Sequence, residues 1–383
     1  MVSILASLRI VFLMFIVLVG AQACFAQAPG SAASSTSSMS PIMVVRAGSS
    51  DALYVLWQDE TCTLLRCVQL ERSMNGGQTF TSVAVPLDTS KLRKYVSPVS
   101  QMYFANPRDG YAVVLAGDDP FRPPSVLMRT TNGGRSWSKV EFSPNSTIAG
   151  FAASSHYFYA VTTQCPSRTT VCRHDRLNRS VAGTSAWVAL PAAKDLAVYW
   201  DSGFSMTAFG NDVWLTTQNQ LKSPYSPFVA TSVNRGESFS SQAQPDLTSV
   251  NQCQISSVSA QGLWGLCDQG MMQGDIVYSS DGGALWNEQR CCQLGHFAFG
   301  VFDPVSKGAA YFVNEMHPRS LYEVSSESSP PRLVGFTPTG ELTSLDFTNG
   351  VQGVALSQGT GGSSLDVLWR TDDGGAQWHR VLL

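Results

Sequence analysis

Charge is scarce in this sequence, because only 14% of its 383 residues are charged and the formal net charge is −3. So weak a charge balance indicates no class of partner by itself. Helical periodicity is also missing, since no long stretch repeats apolar residues every three or four positions. Aromatic residues make up 10% of the chain, with 32 Gly and 19 Pro. This composition is typical of an all-β protein with many turns.

The sequence also lacks an apolar run long enough for a comfortable membrane span. Its longest run, Ile10–Gly20, follows a single Arg9 and precedes small residues. This pattern predicts a signal peptide over residues 1–26 and a Ser/Ala-rich flexible leader over residues 27–40. We therefore expect an exported protein, periplasmic or secreted, with no transmembrane span in the mature chain. Nucleic acid is not an expected ligand of such a chain with net negative charge.

Cys24 raises the alternative of a lipid anchor at the new N-terminus. Gln22 lies two residues before it, where a lipoprotein signal usually has a small residue. A secreted or periplasmic form is favoured over the anchored one.

Metal-binding signatures are absent as well, since there is no Cys-x-x-Cys and no matching His cluster. Eight cysteines follow Cys24, an even number that favours disulfides in an exported chain. They are Cys62, Cys67, Cys165, Cys172, Cys253, Cys267, Cys291 and Cys292. The pairs 62–67 and 165–172 could close small loops, and 253–267 would lie opposite each other if residues 259–262 form a turn. The last two could form a vicinal bridge or exchange partners with 253 and 267. No metal or cofactor is expected.

One phrase occurs five times: Ser/Thr-x-Asp/Asn-x-Gly, followed by Thr or Ser in most copies and then Trp or Phe. Asp or Asn bonds nearby backbone, and Gly adopts the positive φ of a tight turn. The aromatic ring is expected to plug the base of the hairpin. We expect these turns to be structural, with no catalytic role. Their key residues are Asn75, Gly77, Asn132, Gly134, Trp137, Asn234, Gly236, Asp281, Gly283, Trp286, Asp373, Gly375 and Trp378.

The spacing of the five copies predicts seven repeats. Two gaps are near one blade length of roughly 40–50 residues, and two are near twice that. Degenerate copies would lie near residues 183 and 327. The expected fold is an all-β, seven-bladed propeller of four-stranded antiparallel blades over residues 41–383. The predicted blades are about 41–87, 97–145, 147–195, 200–247, 250–292, 295–338 and 341–383.

A second phrase supports this count. An apolar strand, a short polar turn and a Gly that leads a second apolar strand occur at Met102–Val113, Phe299–Ala310 and Leu345–Leu356. These segments are interpreted as the two inner strands of a blade. Each blade would run from its innermost to its outermost strand, and the ring would close by packing between the first and last blades.

The turn phrase resembles the Asp-box (BNR repeat) of sialidases and other propellers. That resemblance implies a glycan-binding or glycoside-hydrolysing alternative, with an arginine triad, a Tyr–Glu pair and an Asp. The nearest match to the first sialidase Arg phrase is Phe121–Pro124, which follows the first turn copy instead of preceding it. Carboxylates on the inner strands and links are scattered, at Asp201, Asp246, Glu341 and Asp346. Catalysis is therefore not favoured, and no catalytic residue is assigned.

The stretch Leu127–Trp137 more closely resembles the repeats of the photosystem II stability/assembly factor family. This resemblance implies an exported, non-enzymatic, seven-bladed propeller that binds a membrane-protein partner, partly through arginines. None of the family's arginines can be placed here residue by residue, and a photosystem role does not follow.

The loops expected at the propeller mouth are rich in cationic and aromatic side chains. The candidate binding residues are Arg122, Arg168, Arg173, His174, Arg176, Arg179 and Arg319, with Phe121 and Tyr225. They predict a basic-aromatic rim for an envelope or secreted protein, or for an acidic glycan. The plainer interpretations are a solvated basic loop and a purely structural repeat protein. A monomeric binding or assembly scaffold is the favoured hypothesis.

Overall fold

The computed structural model describes one unit of the chain in detail. The described residues are 39–48, 51–59, 68–86, 99–115, 125–142, 146–164, 173–191, 205–219, 226–241, 252–270, 273–289, 301–314, 317–326, 330–335, 340–348, 350–359 and 367–381. They form seven four-stranded sheets, each ordered as its strands follow in the chain. Every neighbouring pair of strands is antiparallel. The expected all-β, seven-bladed propeller is therefore confirmed.

The strands of the first four blades have the following bounds. Blade 1 contains β1 (Met39–Arg46), β2 (Leu53–Asp59), β3 (Val68–Ser73) and β4 (Thr81–Val83). Blade 2 contains β5 (Val99–Phe104), β6 (Gly110–Leu115), β7 (Ser125–Thr130) and β8 (Ser138–Lys139). Blade 3 contains β9 (Thr147–Ala153), β10 (Tyr157–Gln164), β11 (Arg173–Val181) and β12 (Trp187–Ala189). Blade 4 contains β13 (Ser205–Phe209), β14 (Asp212–Asn219), β15 (Ser226–Ser232) and β16 (Ser240–Ser241).

The last three blades follow the same order. Blade 5 contains β17 (Gln252–Ser257), β18 (Leu263–Gly270), β19 (Gln273–Ser279) and β20 (Asn287–Gln289). Blade 6 contains β21 (Phe302–Pro304), β22 (Ala309–Asn314), β23 (His317–Ser325) and β24 (Arg332–Leu333). Blade 7 contains β25 (Gly340–Phe347), β26 (Gly353–Gly359), β27 (Val367–Thr371) and β28 (His379–Arg380).

The second strand of a blade is apolar on both faces because each face packs on a different neighbouring blade. In β2, alternate side chains point to opposite faces of the sheet. Leu53 and Val55 belong to an apolar cluster shared with blade 7. Tyr54 and Leu56 belong to another cluster, shared with blade 2. This double burial explains why the strand is almost continuously hydrophobic.

The ring closes between blades 1 and 7 without an exchanged strand in the described part of the chain, because each of these sheets is one continuous segment. Apolar side chains of both blades meet at this seam, including Val44 and Leu53 from blade 1 and Leu356 and Leu368 from blade 7. Closure therefore depends on side-chain packing and on the polar contacts described below.

The predicted leader ends earlier than expected. Met39 and Ser40 pair with Asp59 and Gln58 as the start of β1, so the last two residues of the 27–40 segment belong to the first strand. The predicted signal peptide lies outside the described residues.

The Gly that leads the second strand has a packing role in two of the three predicted copies. A Cβ on Gly110 would lie 2.4 Å from the Phe104 ring, and one on Gly353 would lie 2.6 Å from the Phe347 ring. In the third copy the phrase also marks the two inner strands, β21 and β22, but its Gly has no such packing role. Gly308 lies in the turn before β22, and a Cβ there would meet only the Ser306 hydroxyl at 3.9 Å. The position that matches Gly110 in blade 6 is Ala310, which pairs with Pro304.

Cys253 and Cys267 are opposite each other in the β17–β18 register, with Cα atoms 4.0 Å apart and their sulfur atoms bonded. Cys62, Cys67, Cys165, Cys172, Cys291 and Cys292 lie outside the described residues.

Candidate functional site

The five repeated turns join the third and fourth strands of blades 1, 2, 4, 5 and 7, and they share one hydrogen-bond pattern. In blade 2 the Thr130 hydroxyl donates to Asn132 Oδ1 at 3.0 Å and accepts the N–H of Gly134 at 2.9 Å. Asn132 Oδ1 also accepts the N–H of Ser136 at 3.0 Å. The turns centred on Asn75, Asn234, Asp281 and Asp373 repeat these bonds. Their polar groups are thus used within the turn.

The electrostatics of Asp373 also indicates that the polar groups of these turns are used within the turn. The N–H of Gln377, followed by the Thr371 hydroxyl, holds the pKa of this carboxyl below its ordinary value. A carboxylate stabilised in its charged form is a poor general acid.

The aromatic ring at the end of the repeated turn packs in two ways. Trp286 and Trp378 donate Nε1–H to the carbonyls of Gly283 and Gly375 in their own turns, at 3.0 and 2.9 Å. Trp137 instead donates to the carbonyl of Ala84 in blade 1, at 2.7 Å. This ring therefore joins two blades in addition to its own hairpin.

Four of the predicted binding residues lie on strand β11, although the sequence analysis had placed them in a loop at the propeller mouth. Arg173 and His174 are the first two residues of β11, and Arg179 is near its other end. A strand rises about 3.3 Å per residue, so Arg173 and Arg179 are about 20 Å apart along it. The extended strand therefore places Arg179 apart from Arg173 and His174.

The two described arginine side chains of β11 have different environments. Arg176 is exposed, and its guanidinium has no partner among the described residues. Arg179 donates to the Arg235 carbonyl at 2.8 Å, pairs with Glu237 at 3.3 Å and lies over the Tyr157 ring at 5.5 Å. Arg179 therefore links blade 3 to blade 4, whereas Arg176 is available to a partner.

The remaining predicted binding residues are not brought together in the described part. Arg319 lies on β23, in blade 6. Phe121, Arg122, Arg168 and Tyr225 lie outside the described residues.

The sequence named Asp346 among scattered carboxylates, but its pairing with Arg46 across the seam of blades 1 and 7 was not predicted. Arg46, on the innermost strand of blade 1, donates its backbone N–H to Asp346 Oδ2 at 3.0 Å and its Nε–H to Asp346 Oδ1 at 3.3 Å. Asp303, on the innermost strand of blade 6, accepts the N–H of Phe347. An innermost strand is a sheet edge, so its free N–H groups need acceptors from elsewhere. These carboxylates supply them from the neighbouring blade.

Two uncharged side chains of blade 4 make the same kind of contact, and one of them is Ser205, whose hydroxyl accepts the N–H of Ile255 at 3.2 Å. Thr207 Oγ1 in blade 4 accepts the N–H of Ser257 in blade 5, at 3.0 Å. The register places Thr207, Asp303 and Asp346 at equivalent inner-strand positions. Aligning Leu345–Phe347 with Phe302–Pro304 in the sequence would have revealed the matched aspartates.

We expect Asp303 to make stability depend on pH. Burial of the carboxyl, followed by repulsion from Asp346, raises the pKa of Asp303 well above its ordinary value, although the Phe347 N–H and Arg46 oppose this. The contribution to stability is therefore complete below the unfolded pKa of about 3.9 and is lost as pH rises through the higher folded pKa. Urea unfolding at a series of pH values should show this fall.

Asp303→Asn is the matched control, because its amide oxygen still accepts the Phe347 N–H but does not titrate. The variant should show a smaller fall, because burial also raises the pKa of Asp346, which still titrates. Parallel curves for wild type and variant would contradict the role given to Asp303.

Within the described residues, no helix is both long and apolar enough to cross a membrane. The same part of the chain holds no group of three or more His, Cys, Asp or Glu side chains placed to bind a metal ion.

No protein-family model matches the chain, and no curated protein matches it. Solved structures do. YCF48 from Cyanidioschyzon merolae is 13% identical, with a TM-score of 0.51, over 77% of this chain and 86% of that one. YCF48 bound to a D1 peptide is 13% identical, with a TM-score of 0.50, over 78% and 83% of the two chains.

A propeller from a protease is also similar. The β-propeller domain of the trilobed protease from Pyrococcus furiosus, which has an open velcro topology, is 7% identical, with a TM-score of 0.60, over 90% and 96% of the two chains. At these identities the likeness concerns the fold. The chain is a seven-bladed propeller like that of the photosystem II assembly factor YCF48, as the repeats predicted.

Proposed function

We propose that the protein is an exported, non-catalytic scaffold that binds an extended acidic segment of an envelope or secreted protein at blade 3. The observation that carries this proposal is the basic, uncovered edge of strand β11. A propeller of this fold, YCF48, has been solved with a D1 peptide, which supports peptide binding as a use of the architecture.

The edge arises because the outermost strand is short. Strand β12 pairs only with Asn178, Arg179 and Ser180 of β11. In the described part of the blade, the segment Arg173–Arg176 has no strand on its outer side. Unpaired strand edges accept extended peptides through backbone hydrogen bonds.

The uncovered edge of β11 is also basic. The segment carries Arg173, His174 and Arg176 against a single Asp175. Arg176 is exposed and lacks an ion-pair partner in the described part. Guanidinium groups bind carboxylates with two parallel hydrogen bonds, so an acidic segment would gain both backbone and side-chain contacts.

The test is capture of envelope proteins on the immobilised mature chain. Arg173→Glu/Arg176→Glu should lose the captured protein while its melting temperature stays nearly unchanged. The matched control is Arg135→Glu/Arg380→Glu, which makes the same change in charge at two exposed arginines of blades 2 and 7. The control should capture as wild type does.

If the blade 3 variant captures the protein as well as wild type does, the basic edge of β11 is not the binding site. Capture of no protein, with retention on a sialylated or acidic glycan array, would favour the glycan-binding alternative instead.

A further inference from the structure

Six blades carry a large aromatic side chain at the same position of the second strand. The residues are Tyr54, Tyr111, Tyr159, Trp214, Trp264 and Tyr311, and all lie in equivalent places of the strand register. Four of them donate a hydrogen bond to a turn of the next blade. Tyr54 donates to the Pro107 carbonyl at 2.9 Å, and Trp264 donates to the Ser306 carbonyl at 2.8 Å. Trp214 and Tyr311 donate to the carbonyls of Gly282 and Gly350. The aromatic side chain thus fills the space between consecutive blades.

Blade 7 is the exception. Its equivalent residue is Val354, which pairs with Asp346 and Arg370. Valine has no ring to reach the next blade, which here is blade 1. A cavity of about 310 Å³ lies at this seam, with Val354 in its wall. This volume is at the lower end of the range for small-molecule sites.

The guanidinium of Arg46 lines the cavity, and only part of its hydrogen-bonding capacity is used. The Arg46 side chain is only 7% exposed and lines the cavity. A guanidinium has five N–H donors, and Arg46 uses Nε–H for Asp346. Its other donors have no partner in the described residues. Guanidinium donors that line a cavity can bond the acceptor oxygens of a ligand, so a carboxylate would be stabilised there.

The rim of the cavity carries the opposite charge. Asp51 is exposed, and its carboxylate has no partner among the described residues. Asp372 also lines the cavity, and it accepts a hydrogen bond from Arg370 at 2.8 Å. Two carboxylates in the lining disfavour a simple anion, and the two arginines disfavour a simple cation.

We propose that the seam cavity binds a small zwitterion, an L-α-amino acid, with its carboxylate on the Arg46 guanidinium and its ammonium group facing Asp51. In the described part of the chain, Arg46 has donors beyond its bond to Asp346 and the Asp51 carboxylate has no partner, so the two groups match the two charges of such a molecule. The limited volume favours a small side chain. This site is at the seam of blades 1 and 7 and is independent of the blade 3 edge.

The test is calorimetric titration of the mature protein with each proteinogenic L-amino acid. For the best binder, the N-acetyl and amide derivatives each lack one charge and should bind at least tenfold more weakly. Asp51→Asn, a substitution at an exposed side chain, should weaken amino-acid binding while leaving the N-acetyl derivative unaffected.

Val354→Tyr is the second variant, because it introduces the tyrosine that four other blades carry at this position. It should fill the cavity, abolish binding and leave the melting temperature equal or higher. Three results would each overturn the proposal: no amino acid binds wild type, carboxylates alone bind as tightly as zwitterions, or Asp51→Asn binds as wild type does. Undiminished binding by a folded Val354→Tyr would place any ligand elsewhere.

Discussion

Trp137→Ala should lower the free energy of unfolding by about 3 kcal/mol, near the lower end of the range for removing a buried tryptophan. The ring is partly buried and packs into the apolar cluster between blades 1 and 2. It meets the Phe104 ring edge-on, with centroids 5.9 Å apart. The substitution also removes the hydrogen bond to the Ala84 carbonyl. Urea unfolding followed by tryptophan fluorescence and far-UV circular dichroism measures the change.

Trp137→Phe separates the two contributions, because it keeps a ring and removes only the Nε1–H donor. It should lower stability by about 1 kcal/mol, the typical net value of one hydrogen bond. A loss below about 1 kcal/mol for the alanine variant would show that the ring does not hold the two blades together.

Gly110→Ala should also destabilise the protein by about 3 kcal/mol, at the upper end for overpacking a core. The new Cβ would lie 2.4 Å from Phe104 Cδ1. Phe104 has no room to retreat, because it is fully buried and stacked on Tyr54 with ring centroids 3.5 Å apart. Chemical unfolding of the purified variant gives the magnitude.

Gly308→Ala is the matched control for this substitution. Its Cβ would meet only the Ser306 hydroxyl, at an ordinary contact distance of 3.9 Å. The change in stability should stay within about 0.5 kcal/mol. Similar losses at the two glycines would mean that the Phe104 ring does not confine Gly110.

The fold could be predicted because its information is local and repeated. Each turn, such as Thr130–Trp137, contains the Ser/Thr, Asn/Asp and Gly that make its own hydrogen bonds within a few residues. Repetition at blade length then indicates the architecture. Even the degenerate turn at Ala182–Trp187 is followed by a strand.

The seam could not be predicted in the same way. Arg46 and Asp346 are 300 residues apart and meet only because the ring closes. Val354 stands where the other six blades have an aromatic residue. This correspondence can be recognised only from the register of the second strands of all seven blades.

The basic cluster of blade 3 was predicted by composition, and its arrangement was not. Nearness in sequence suggested that Arg173, Arg176 and Arg179 would act together. The extended strand spreads them over its length and alternates their faces. Arg179 is consequently used by the blade 4 turn, through Arg235 and Glu237.

The central claim is that a partner docks on the basic edge of β11, and photo-crosslinking tests it most directly. A photoreactive amino acid is placed at position 176 in the source cell, with position 135 on the exposed blade 2 turn as the control site. The account predicts a discrete protein adduct from position 176 that is absent from position 135 and is lost when Arg173→Glu is added. No adduct at position 176, or the same adducts from both positions, would contradict it.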